Sequence, residues 1–297
     1  MSFNENATLD TSGVSSGGGG GRLSGGMIPI GGGVGGLVLL VVVLLLRSVT
    51  GGATDPTQSG LGPSGGGVDF SKCKTGADAN RDVDCRIIGT ANSVEAYWAS
   101  TLPDFGKRYT KAGLVDYRGA TQSACGTASN DVGPFYCPLD KTVYIDATFF
   151  QELTTRFGAD DGALAQEYVV AHEYGHHVQD ILGLLDRAQQ DPQGAESGSV
   201  RTELMADCLA GVWAHSASTT KDASGVPFLK PLTQADIDSA LSAAASVGDD
   251  RIQKQATGRI NQDTWTHGSS AERQRWFTRG YQSGSLNNCD TFSATSL

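Results

Sequence analysis

Positive charge is scarce in this chain of 297 residues: 22 Lys and Arg stand against 32 Asp and Glu, a formal net charge of −10. A body of that sign repels a phosphate backbone, which excludes nucleic acid as a partner. Cysteines in C-x-x-C spacing are missing, so a structural zinc ribbon is excluded. No internal repeat is present, which removes solenoids and propellers. Histidine is rare too, five in all, yet three of them fall at 172, 176 and 177. Glycine is abundant and unevenly spread. Of 40 glycines, 20 lie within residues 1–67, a linker-like composition, and residues 68–297 are left to build one domain with an ordinary core.

Residues 1–26 are Ser/Gly-rich and carry only Glu5, Asp10 and Arg22 as charges, which predicts a disordered leader. Residues 27–46 are uncharged and end in a continuous Leu/Val run. Twenty helical residues span about 30 Å, the thickness of a bilayer core, so a transmembrane anchor is expected here. A cleaved signal peptide is the competing reading. The 26 preceding residues, with one positive charge, favour the anchor. Residues 47–67 read as a flexible Gly/Ser/Pro linker. Six cysteines beside a hydrophobic leader point to disulfides in an oxidising compartment. The expected location is therefore the cell membrane, single-pass, with the body outside the cytoplasm. Six cysteines allow 15 pairings. The preferred set is Cys73–Cys85 and Cys125–Cys137, leaving Cys208–Cys289.

Within the body, a helical pattern covers 93–109 and strand-like runs follow at 114–117, 135–137 and 142–145. These predict a small antiparallel sheet with 142–145 as an edge strand able to pair with an extended substrate. Helices are expected from about 161, from 199 to 216, after Thr233, and from about 270 to 284.

The stretch His172-Glu173-Tyr174-Gly175-His176 lies on the first long helix. Positions i and i+4 sit nearly above one another, so the two imidazoles can share one point while Glu173 projects beside them. Paired neutral imidazoles suit zinc, and the adjacent carboxylate is placed to take a proton from water; this is the H-E-x-x-H arrangement. Glu203 and Asp207 share a face of the next long helix. Glu203 can supply a third ligand, and Asp207 can accept the free ring N–H of a ligating histidine. His177 points about 100° away and reads as structural. His267, in a loop before a helix, can donate to a developing oxyanion or order its own turn.

The runs at 170–179 and 203–213, with Cys125, 133–138, 266–270 and Trp276-Phe277, resemble the bacterial "putative neutral zinc metallopeptidase" family. The resemblance covers about 68–292. It implies an α+β, zincin-like, mainly helical fold and a membrane-anchored zinc peptidase with a glutamate third ligand. On this reading Zn2+ is held by His172, His176 and Glu203, with Asp207 behind them. Glu173 and His267 are catalytic, and a peptide or protein is the substrate. The alternatives are a hydrolase of cell-wall peptide bonds and a non-catalytic surface binding module stabilised by zinc.

Overall fold

The structure, a computed structural model, describes residues 2–17, 67–130 and 132–297. The expected anchor at 27–46 lies outside the described residues, as do residues 47–66 of the expected linker. Among the described residues no helix is long and apolar enough to cross a membrane.

Strands β1 (Val14–Gly17), β2 (Gly113–Tyr117), β3 (Ala120–Ser123), β4 (Gly126–Ser129), β5 (Phe135–Cys137) and β6 (Thr142–Asp146) form two sheets. The larger runs β1-β2-β6-β5, and β3 and β4 make a separate antiparallel hairpin. The expected antiparallel sheet is corrected here: β1 with β2 and β2 with β6 are parallel, and only β5 runs antiparallel to β6. Parallel neighbours require long crossovers rather than tight turns, and local turn signals do not reveal them. Residues 142–145 are also not an edge. They lie between β2 and β5, and Val143 to Asp146 are all buried, as a strand covered on both faces should be.

The expectation of disorder across 1–26 fails for residues 2–17. Phe3 and Ala7 are fully buried, Leu9 nearly so, and Val14–Gly17 forms one of the two edge strands of the larger sheet. Sparse apolar residues misled the compositional reading. Three of them find sites in the body, and the strand itself is held by main-chain groups that need no apolar side chain.

The helices are α1 (Gly76–Ala79), α2 (Val83–Thr101), α3 (Phe149–Thr155), α4 (Ala163–Leu182), α5 (Asp186–Gln190), α6 (Gly198–Ser216), α7 (Gln234–Ser246), α8 (Asp249–Thr257) and α9 (Ser270–Ser283). The helix expected over 93–109 starts ten residues earlier. There Asp82 accepts from the N–H groups of Asp84 and Cys85, a cap the periodicity did not register. Capping boxes start α7 (Thr233 with Asp236) and α9 (Ser269 with Glu272).

Helix α4 runs through the core with α2, α6 and α7 packed around it. Helices α6 and α9 approach to backbone contact. A Cβ on Gly280 would lie 2.0 Å from the Cys208 carbonyl oxygen, and one on Gly211 would lie 2.1 Å from that of Phe277. Trp213, Trp265 and Trp276 are core residues. The disulfides are Cys73–Cys85, Cys125–Cys137 and Cys208–Cys289, the preferred set, and the last fastens the C-terminal tail to α6.

Candidate metal centre

His172 and His176 sit one turn apart on α4 with ring centroids 4.8 Å apart and ring planes at 89°. Glu203 meets them from α6. Its Oε2 is 3.1 Å from His172 Nε2, and its Oε1 is 3.4 Å from His176 Nε2. One ligand atom from each residue lies within 4.8 Å of the other two.

Each imidazole is oriented from behind. His172 Nδ1 faces Asp207 Oδ1 at 2.8 Å, and His176 Nδ1 faces Gln179 Oε1 at 2.8 Å. Gln179 is itself fixed by donating through Nε2 to the Thr202 carbonyl at 2.6 Å. With both Nδ1 atoms so engaged, both Nε2 atoms are directed to the point shared with Glu203. Two imidazole nitrogens and one carboxylate, converging and held from behind, fit zinc with a position left open.

The charges agree with a cation site. Burial opposes the ionised form of Glu203, but the two imidazoles outweigh it and hold the carboxyl well below its ordinary range. Burial likewise works against a charged His172, yet the Asp207 and Glu203 carboxylates raise it to about 10 without metal. Glu173 is buried, lines the cleft, and has no hydrogen bond among the described residues; burial pushes its carboxyl above the usual range. Such an environment raises a carboxylate's affinity for a proton.

Behind the centre lies a buried group that the sequence reading did not use. Arg273 of α9 donates from Nε to Asp207 Oδ2 (2.8 Å) and from Nη2 to Asp207 Oδ1 (3.0 Å) and to the Tyr168 hydroxyl (3.2 Å). Tyr168 in turn donates to Asp207 Oδ1. One signal was available. Arg273 shares the apolar stripe of Trp276, Phe277 and Gly280, and a charge on such a stripe requires a buried partner.

His267 lines the same cleft. Its Nδ1 faces Thr266 Oγ1 at 2.8 Å and Asp249 Oδ1 at 3.4 Å, while Asp249 Oδ2 accepts the N–H groups of Thr266, His267 and Gly268. Burial opposes a charged imidazole here, but Asp249, with Glu203, raises its pKa. Asp249 was not singled out in the sequence because it opens a helix, α8, that was not expected. His177 is apart from the centre: Nε2 donates to the Thr110 carbonyl and Nδ1 meets the Tyr136 hydroxyl at 2.9 Å.

The cleft encloses about 260 Å³, and Phe135, Phe149, Phe157, Val169 and Leu185 are among the apolar residues that form its wall. Edge strand β5 supplies Phe135 and Tyr136 to that wall.

Residues 4–292 match the family model described as "Putative neutral zinc metallopeptidase". An uncharacterized protein of Mycobacterium tuberculosis is 60% identical over 232 residues, 78% of each chain. The uncharacterized protein YpfJ of Escherichia coli is 41% identical over 243 residues, covering 76% of this chain and 81% of that one. No solved structure matches the chain.

Proposed function

Since the chain belongs to this zinc metallopeptidase family, we propose that it hydrolyses peptide bonds at the centre between α4 and α6, with His172, His176 and Glu203 as the zinc ligands. The observation that carries this reading is the meeting of two imidazole Nε2 atoms on the Glu203 carboxylate beside an unbonded, cleft-facing Glu173. A purely structural site has no use for that fourth side chain.

When bound, zinc acidifies water and polarises a carbonyl. Glu173 takes the proton of the attacking water, a transfer its raised affinity for protons favours, and passes it to the leaving amine. Asp207 holds the His172 ring in the tautomer that presents Nε2, and Gln179 does the same for His176. His267, whose charged form Asp249 favours, presents Nε2–H toward the cleft and stabilises the oxyanion. The aromatic wall excludes water and receives an apolar side chain of a peptide or protein substrate. Residues 27–46 attach the molecule to the cell membrane, and three disulfides suit a body outside the cytoplasm.

The test is zinc content and peptide-library cleavage by the native chain and by Glu173→Gln. The variant is expected to bind zinc as the native protein does and to lose hydrolysis by at least about 10²-fold, the lower range for general acid–base catalysis. Full hydrolysis in the variant, or zinc lost with it, refutes the assignment.

A further inference from the structure

The N-terminal segment 2–17 is built into the body, and its position bears on membrane topology. The body is cut to receive it. A Cβ on Gly76 would stand 2.0 Å from the Asn4 carbonyl oxygen, and one on Gly89 would stand 2.7 Å from Phe3 Cε1, so neither position accommodates a side chain while the leader is in place. Asn80 Oδ1 accepts the Phe3 N–H at 2.7 Å and Asp222 Oδ2 accepts the Thr8 N–H at 2.7 Å. Strand β1 then pairs with β2 in register from Val14 opposite Leu114 to Gly17 opposite Tyr117.

On both sides of the run, the described chain comes back to one place. The Val68 N–H donates to Ser16 Oγ at 2.6 Å. A helix crossing once would separate its two flanks by about 30 Å of hydrocarbon. Those two distances are incompatible. Contact between residues 16 and 68 and a single crossing between them cannot both hold.

We infer that residues 2–17 lie on the same face of the membrane as the catalytic body. This replaces the single-pass anchor expected from the sequence. It also opposes a cleaved signal, because cleavage after the run would remove β1, Phe3 and Leu9 from the domain. The argument uses neither zinc nor hydrolysis, so it stands or falls apart from the peptidase reading.

The experiment uses the full chain in bacterial cells and a membrane-impermeant maleimide. All six native cysteines are paired, so Ser12→Cys in the exposed leader and Ala223→Cys in an exposed loop of the body are each unique thiols. Expected is labelling of both from the same side and to the same extent, before and after the cells are opened. Labelling of position 12 from the opposite side, or its absence from the mature protein, overturns the inference. A second variant reads contact directly. A Cβ on Gly67 would lie 3.7 Å from that of Ser16, near the mean separation in disulfides. Ser16→Cys with Gly67→Cys is expected to close a bridge in the membrane-bound chain. Two free thiols labelled from opposite faces would sink the idea.

Discussion

Replacing Arg273 by Met tests whether the metal centre depends on a charge contributed from a third helix. The native guanidinium gives two N–H donors to Asp207 and one to Tyr168, and the Asp207 carboxylate is fully buried. Methionine fills much of the same volume and supplies no donor. Asp207 would keep Tyr168 and His172, both on Oδ1, but would lose the guanidinium charge and every donor on Oδ2. Breaking one side of a buried ion pair costs about 3–5 kcal/mol. For a body of this size that lowers the melting temperature by on the order of 10 °C. Asp207→Asn in the same chain removes the stranded charge, and the amide oxygen still accepts from Tyr168 and His172. The double variant should therefore recover to within about 1–2 kcal/mol of the native protein. Urea and thermal unfolding of the four proteins, metal-free and with zinc, measure the cycle. An Arg273→Met protein as stable as the native one, or a double variant no better than the single, refutes the argument.

Three further outcomes are expected. Burial raises the Glu95 carboxyl to about 7 against the pull of Lys111 and the Ala112 N–H. The folded state therefore holds that proton where the unfolded state has released it, and stability falls by roughly 3 kcal/mol as pH rises from about 4.5 through 7; Glu95→Gln should match the native protein near pH 4 in urea unfolding and exceed it at pH 8. Gly280→Ala drives a methyl group to 2.0 Å from the Cys208 carbonyl. It should cost about 1–3 kcal/mol, and by displacing Arg273 it should weaken zinc binding in chelator competition. His267→Ala should lower kcat by about 10²–10³-fold with zinc content unchanged, and unaltered kcat would remove His267 from the mechanism.

The residues that meet at the centre could be read from the sequence because they follow helix geometry. The spacing of 172 with 176 and of 203 with 207 requires only that two long helices form and pack. What supports them was harder to see. Gln179 is one more polar residue on an amphipathic helix, and Asp249 opens a helix with little apolar character. Arg273 stands beside Arg275 and Arg279, and only its place on the apolar stripe separates it from them. The sheet was misread for a different reason. The strands at 113–117 and 142–146 carry clear β patterns, whereas Val14-Ser15-Ser16-Gly17 carries none, and its partner lies far along the chain. Composition is blind to a polar segment held by main-chain hydrogen bonds.

The pairing of Val14 with Leu114 sets an order of events during synthesis. At about 5–20 residues per second, the ribosome takes roughly 5–20 s to make the hundred residues between them. The earliest strand to emerge must therefore stay unmatched until its neighbour exists. A longer, apolar segment left waiting would be a template for aggregation. Four residues, three of them Ser or Gly, can wait in water without finding the wrong companion.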